Sequence, residues 1–475
     1  MNYSVLQKGI LNNNFSNPIE IYSPINNQII GYLPRINDIE IDEIIKDTKR
    51  AFYDWKDTPY FVRKELILNF RNRLKMNSEF IANLMLKEIA KNYKECLDEI
   101  NRSIEYIDLT INEYEKFLDN PLIYTEKEHH IKNKIGKFIY QPIGLVLAIG
   151  PFNYPLNLLI TKIIPALITG NSVIYKPATQ GSLTGAYMSQ LFYEAGFING
   201  EIACIVGDGN LLGTKLIESN EIQMINFTGS TKVGKLIQKS SSNKRIVLEM
   251  GGKDPAIVLQ DADLELTANE IIKGAFSYNG QRCTAIKRVL ANEEIYEPLI
   301  KLLNKKVKTL KVGSALSADN NNITELISQK SLDYNLSLIN DALEHHAKTD
   351  QKIQHNNKIL YPVILYNLDI DSKINWEESF GPVLPIIKVK NVDEAIKLSN
   401  MSNYGLQASI FTQNQVLAEK IALELECGTV NINKAPSRGP DIFPFLGIKD
   451  SGIGIQGVKE ALISNLQIKG IITNE

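Results

Sequence analysis

Between Ile143 and Glu249, short apolar runs alternate with helix-patterned stretches, and this alternation restricts the fold more than any other feature of the chain. Ile143–Ile149 is a continuous apolar run of buried-strand type. A helical stretch over Leu156–Ile168 follows and stops at Gly170. Ser172–Tyr175 reads as the next strand, and Ser182–Ala195 as the next helix, ending at Gly196. Ile202–Val206, Ile222–Phe227 and Ile246–Glu249 repeat the theme. Strands buried on both faces read as unbroken apolar runs. Parallel neighbours need a crossover long enough to hold a helix. The expectation is a doubly wound parallel α/β sheet. A second alternating region starts near Asp254 and runs to about Phe445, with a helix-like Leu264–Phe276 and strand-like Ala285–Leu290 and Gly428–Ile432. The first third reads as helices, with apolar residues at helical spacing over Asp38–Trp55 and Val62–Met76. The polar stretch Leu316–Asn322 is expected as a surface loop.

A chain of 475 residues is too long for one simple core, so two or three domains are expected. A net charge of -2 gives no reason to expect a nucleic-acid partner. No apolar run reaches membrane-span length, because Pro151, Asn153 and Pro155 interrupt the longest candidate. The start Met1-Asn2-Tyr3-Ser4 lacks a basic segment leading into an apolar one, so a secretory signal is not expected, and the scattered cysteines make a reducing cytoplasm the expected compartment. Cys96, Cys204, Cys283 and Cys427 are scattered without a CxxC pair, which suggests neither a disulfide framework nor a metal site. The five histidines all lie in polar surroundings and read as solvated surface.

Three runs carry chemistry. Cys283 lies in Asn279-Gly280-Gln281-Arg282-Cys283-Thr284-Ala285, where Arg282 is placed to favour a thiolate electrostatically. The other three cysteines read as small buried hydrophobes. Glu249 ends an apolar strand in Leu248-Glu249-Met250-Gly251-Gly252-Lys253. It reads either as a strand-end charge facing water or as a general base whose neighbouring glycines permit movement. Asn153 lies in Gly150-Pro151-Phe152-Asn153-Tyr154-Pro155, where a turn role is the plainer reading.

In this order the three runs strongly resemble the aldehyde dehydrogenase superfamily, from about Asn26 to the C-terminus. The resemblance implies a Rossmann-like nucleotide-binding domain (1–120 and 142–252), an α/β catalytic domain (253–445), and a small β oligomerisation arm with a C-terminal segment (121–141 and 446–475). It makes Cys283 the nucleophile and Glu249 the base that activates water against an acyl-enzyme thioester. Asn153 becomes the oxyanion donor, acting with the Cys283 N–H. Asn226 to Gly234 looks like the family's strand-to-helix nucleotide turn, with Gly229 and Ser230 near the pyrophosphate. Gly229 to Lys235 also fits GxxxxGK, but Leu236 stands where a P-loop needs Ser or Thr. Pro151, Lys176, Gly209, Met250, Glu378 and Phe380 are the further cofactor positions the resemblance implies. Thr179 matches a position where members preferring NAD commonly carry glutamate, so NADP is expected, with Lys176 supplying positive charge. In Glu377-Glu378-Ser379-Phe380-Gly381-Pro382, Ser379 departs from the usual family proline.

Within the family, the runs around Arg102, Tyr154, Arg282 and Arg438 resemble the non-phosphorylating glyceraldehyde-3-phosphate dehydrogenases, whose matching residues hold a substrate phosphate. The forked guanidinium suits paired hydrogen bonds to phosphate oxygens. The implied reaction is oxidation of a small phosphorylated aldehyde with NADP and without inorganic phosphate or a metal. An NADP-dependent succinate-semialdehyde or other small anionic aldehyde dehydrogenase is the alternative. A CoA-acylating enzyme fits less well, because Glu249 is retained. The family also implies a homotetramer built as a dimer of dimers. By that resemblance the piece Pro121–Tyr140 is a protruding hairpin, and Asn465–Asn474 a strand pairing with it across subunits.

Overall fold

The computed structural model describes residues 1–116, 122–125, 129–130, 132–207, 209–241 and 243–474. The alternating region forms a six-stranded sheet in the order Gly452–Ile453, Arg245–Glu249, Ile222–Thr228, Leu145–Ile149, Ser172–Lys176, Ile202–Cys204. Neighbours are parallel except Gly452–Ile453, which runs antiparallel to Arg245–Glu249. Strand alternation sorts the apolar residues onto two faces. Val146, Ala148, Val173 and Tyr175 pack with Leu159, Ile163, Leu183 and Phe192. Leu145, Leu147, Ile174 and Ile225 pack with Ile41, Ile44, Leu216 and Ile237. Both faces are therefore covered, which explains why these strands read as unbroken apolar runs.

The second region forms another six-stranded sheet, ordered Val363–Leu365, Val383–Val389, Arg288–Asn292, Pro255–Val258, Gln407–Phe411, Thr429–Ile432. All its neighbours are parallel. The helices Asp38–Trp55 and Leu264–Phe276 have the expected limits, and the helix expected at Val62 begins at Tyr60. Asn37 closes a capping box with Glu40 at the first of these. The strand expected from Ala285 begins only at Arg288. The Ile286 and Lys287 N–H groups are already bonded to the carbonyls of Gly274 and Asp254. The helical reading of the first third misses the short strands Val5–Gln7, Ile10–Asn12, Ile19–Tyr22 and Ile29–Leu33. Each is too short to show a period, and Gly9 and Asn27 turn between them with positive φ.

Leu466–Asn474 is a strand, but its partner differs from the expectation. It runs antiparallel to Lys134–Pro142 of its own chain, with Leu466 opposite Pro142 and Asn474 opposite Lys134. Local hydrogen bonds direct it there. Asn171 Nδ2 donates to Asn465 O at 2.9 Å, and Arg245 Nη1 donates to the carbonyls of Ser464 and Leu466 at 2.7 and 2.6 Å. Leu122–Tyr124 completes this three-stranded sheet. Residues 121, 126–128 and 131 of the expected hairpin lie outside the described residues. Among the described residues, no helix is long and apolar enough to cross a membrane, and no three His, Cys, Asp or Glu side chains gather as a metal site.

Candidate active site

Chain order decides where a ligand can enter the first sheet. Leu145–Ile149 is followed outward by Ser172–Lys176 and Ile202–Cys204, and the chain then returns to lay Ile222–Thr228 on the other side of Leu145–Ile149. A cleft opens at such a reversal, beyond the carboxyl ends of the strands. A cavity of about 420 Å³ lies there. Gly150 to Asn153 line one wall, Phe227 to Ser230 the other, with Lys176, Met250, Cys283, Glu378 and Phe380 completing it. Seven expected cofactor positions therefore line one cavity: Pro151, Lys176, Gly229, Ser230, Met250, Glu378 and Phe380. Thr179 and Gly209 do not line it. Thr179 is exposed one residue beyond the lining Ala178, and Gly209 is exposed at the first position of Gly209–Glu218.

Side chains already pack against two glycines beside this cleft. A Cβ on Gly234 would come within 2.2 Å of Met250 Sδ, and one on Gly251 within 2.2 Å of Glu378 Oε2. Ser230 caps the helix Thr231–Ser240, its Oγ accepting from the Val233 N–H, and turns the helix N-terminus to the cavity. Phe380 has φ +47 and packs edge-on to Phe152, with ring centroids 5.9 Å apart.

Cys283 reaches this cavity from the second sheet, in the loop between Leu264–Phe276 and Arg288–Asn292. Tyr278, Asn279 and Gly280 are left-handed in succession. A Cβ on Gly280 would sit 2.5 Å from Gly381 O, so only glycine fits there. Asn279 pins the turn by accepting from the Thr324 N–H at 2.7 Å and donating to Glu325 O at 3.1 Å. The Cys283 thiol donates to Glu249 Oε1 at 3.3 Å. Burial first, and the Glu249 carboxylate second, hold the thiol well above its usual range, while Lys287 and Arg438 pull it down. The Asn153 Nδ2 donates to Gln281 O at 2.9 Å, which joins the first sheet to the cysteine loop.

Glu249 is 2% exposed. Burial pushes its carboxyl up, but Arg438 and Lys162 outweigh this and hold it below the usual carboxylate range. Arg438 Nη1 donates to Glu249 Oε2 at 2.5 Å, and Arg438 Nη2 is bonded to Gln456 Oε1. Arg102 makes a two-pronged pair with Asp441, at 2.8 and 2.7 Å. Arg102 also lies within electrostatic reach of Tyr154 and Glu249. Arg438 and Arg102 therefore both lie within reach of the Glu249 carboxylate, and Tyr154 lies within reach of Arg102. Arg282 does not turn toward the thiol, contrary to the sequence expectation. Its Nη2 donates to Gly274 O at 2.8 Å, and it acts electrostatically on Glu95 instead. That bond to Gly274 O holds the guanidinium, so sequence adjacency does not bring it to the sulfur.

Several site residues escape sequence reasoning. Lys162 is 1% exposed and donates to Thr228 Oγ1 at 2.8 Å, and Thr228 in turn donates to Glu249 Oε2 at 3.2 Å. Burial chiefly, and Arg438 next, lower its pKa to about 7. A signal existed, since Lys162 is the only charged residue in the apolar helix Asn157–Ile168. Lys91 and Glu99 form a fully buried ion pair at 2.6 Å. Lys91 Nζ also donates to Asn153 O at 3.2 Å and lies 3.7 Å from the Tyr154 ring centroid. Glu99 Oε1 accepts the N–H groups of Leu156 and Asn157, both at 3.0 Å. The pair thus fixes the middle and the C-terminal end of the loop that carries Asn153 and Tyr154. Nothing in the local sequence sets Lys91 and Glu99 apart from a solvated helix face.

The model of the aldehyde dehydrogenase family matches residues 11–471. An NADP-dependent glyceraldehyde-3-phosphate dehydrogenase of Streptococcus equinus is 43% identical over 454 residues, covering 96% of this chain and 95% of that protein. One of the same name from Pisum sativum is 40% identical over 437 residues, covering 92% and 88%. Among solved structures, the NADP-dependent glyceraldehyde-3-phosphate dehydrogenase of Bacillus halodurans C-125, complexed with NADP, superposes with a TM-score of 0.96 at 41% identity, covering 100% and 99%.

Proposed function

We propose that this chain, which belongs to the aldehyde dehydrogenase family, oxidises D-glyceraldehyde 3-phosphate to 3-phosphoglycerate with NADP and without inorganic phosphate. The observation that carries the reading is the 3.3 Å thiol–carboxylate contact of Cys283 and Glu249, with Cys283 on the cavity lining and two arginines within reach of the carboxylate.

The residues lining the cavity suit NADP in their chemistry. A capped helix N-terminus meets the phosphates at Ser230, glycines allow close backbone approach, and the Glu378 carboxylate suits ribose hydroxyls. Lys176 and the carboxylate-free Thr179 region admit a 2′-phosphate. When bound, the nicotinamide supplies the hydride acceptor.

Cys283 Sγ is the attacking atom and becomes the thioester sulfur. The developing oxyanion takes the Cys283 N–H and the Asn153 amide. That amide carries two hydrogens, so the one not bonded to Gln281 O remains for substrate. Glu249 activates the water that releases the acid. Its present bond to Arg438 must loosen first, and a substrate phosphate recruiting Arg438 would do this. Arg102 and Tyr154 complete the anion pocket. Arg282, turned to Gly274 O, joins it only by a change of rotamer.

The reading divides the chain into a nucleotide-binding part (1–120 and 142–252), a catalytic part (253–445), and the arm with its C-terminal strand (121–141 and 446–475). The arm carries exposed Leu122, Ile468 and Ile472 around an apolar hollow of about 470 Å³, which supports its burial in a homotetramer. Four unpaired cysteines suit a reducing cytoplasm.

A panel of aldehydes with NADP or NAD, followed by reduced-cofactor absorbance with and without phosphate, tests the function. Fastest turnover on glyceraldehyde 3-phosphate with NADP, indifferent to phosphate, is expected. Phosphate-dependent release of an acyl phosphate, or faster turnover of succinate semialdehyde, overturns it.

A further inference from the structure

The lysine four residues after Cys283 has no part in the chemistry above. Lys287 is 2% exposed, and a buried ammonium is costly unless it is paired. Its Nζ donates to the Cys283 carbonyl oxygen at 2.5 Å and lies 3.2 Å from Glu378 Oε1. That same Oε1 accepts the Gly252 N–H at 3.0 Å. Gly252 stands against the Cys283 carbonyl in turn, since a Cβ on it would be 3.0 Å from that oxygen. One cation is therefore shared by the cysteine loop and by the carboxylate on the cofactor cavity. Its own backbone is fixed, with the N–H donating to Asp254 O at 3.0 Å.

The neighbouring cations do not duplicate this contact. The Arg288 guanidinium is engaged by the carbonyls of Lys253, Leu398 and Ser399, at 3.2, 3.1 and 3.0 Å. Lys253 Nζ is buried without a hydrogen-bond partner. Arg438 faces Glu249 from the other side of the site.

We propose that Lys287 is a positioning residue that ties the Cys283 loop to Glu378, so that one buried ammonium sets both the reactivity of the thiol and the placement of the cofactor carboxylate. The proposal rests on Cys283 being the nucleophile and Glu378 a cofactor ligand. Physically, a positive charge beside the loop favours the thiolate; Lys287 and Arg438 act on this thiol in that direction, against burial and Glu249, and Lys162 also lies within electrostatic reach of it. Without the ammonium, Glu378 keeps the Gly252 N–H but loses its ionic partner, so it holds its position less well.

The test uses Lys287→Met and Lys287→Gln in the full chain. Two quantities are read: the rate of iodoacetamide labelling at the Cys283 peptide without cofactor, and the dissociation constant of NADP by fluorescence titration. Lys287→Met should slow labelling at pH 8 by about 3-fold or more and weaken NADP by about 5-fold or more. Lys287→Gln keeps a donor without the charge. It should slow labelling similarly but lose less NADP affinity, and it carries the test if the Met variant does not fold. Variants that change neither quantity, or only one, overturn the proposal. Cys283→Ala and Glu378→Gln are the controls. A Cys283→Ala protein that still turns over, or a Glu378→Gln protein that binds NADP as the wild type does, removes the underlying reading. If both controls behave and the Lys287 variants are silent, this proposal alone fails.

Discussion

The wall of the site that faces the cofactor cavity and the wall that faces the anion pocket are built from different materials. The cavity side is apolar and glycine-lined. Ile149, Pro151, Phe152, Leu158, Phe227 and Phe380 give it shape, and its carboxylate Glu378 is held by Lys287 and the Gly252 N–H. The anion side is assembled from ion pairs: Arg438 with Glu249, Arg102 with Asp441, and Lys91 with Glu99. Apolar surface and fixed backbone are ready before a ligand arrives. A buried charge is costly without a partner, so a pocket made of arginines folds with carboxylates standing where an anionic ligand will go. Cofactor binding should then need little rearrangement, whereas the substrate must exchange one partner for another.

The largest effect falls where the two walls meet. Cys283→Ala should abolish both the burst of reduced cofactor and turnover while NADP still binds in a fluorescence titration. Near-normal turnover would remove the cysteine from the chemistry. Glu249→Gln should keep hydride transfer in a single turnover but lower steady-state rate by roughly 10²-fold or more, because thioester hydrolysis loses its base. Unchanged steady-state turnover would assign water activation to another group.

Arg438→Leu probes the anion wall alone. Loss of a charged hydrogen-bonding partner is worth about 1.5–3 kcal/mol, or roughly 10- to 150-fold in kcat/KM for glyceraldehyde 3-phosphate. Arg438 also bonds the Glu249 carboxylate, so unphosphorylated glyceraldehyde should slow as well, though less. The informative quantity is the ratio of kcat/KM for the two aldehydes. A ratio unchanged from wild type would make the arginine a partner of Glu249 only. Just beyond the cavity lining, Thr179→Glu should shift the kcat/KM ratio from NADP toward NAD by about 10-fold, through repulsion of the 2′-phosphate. Because Thr179 is exposed, solvent screening limits the change.

The smallest effect tests the burial of charge itself. Lys162 has a folded pKa lowered to about 7, against an ordinary value near 10.4. Its contribution to stability is fully present above the unfolded value and is lost as pH falls through the folded one. Lys162→Met should therefore exceed the wild type in Tm by most near pH 7, and the gap should narrow as pH rises toward 10. A gap constant with pH would show that Lys162 is not titrating in this window.

The helices Asp38–Trp55, Ser182–Ala195 and Leu264–Phe276 were legible to the residue, because amphipathic period, caps and terminal glycines are local signals. The strands of the first sheet were legible as apolar runs for the same reason. The cavity could be placed because nucleotide turns sit at strand ends, and the sequence shows strand ends. The positions of Cys283 and Glu249 were also legible, through the glycine-rich runs around them. What remained hidden was contact across distance. Arg102 meets Asp441 339 residues away, and Arg438 meets Glu249 189 residues away. Arg282, one residue from Cys283, faces elsewhere. The C-terminal strand folds back on its own chain because hydrogen bonds from Asn171 and Arg245 guide it there. Sequence determined which residues could form strands, helices and a reactive thiol, since those depend on neighbours along the chain. Only the tertiary structure decided which charges neutralise one another, because burial makes an unpaired ion costly and packing decides which partner comes within reach.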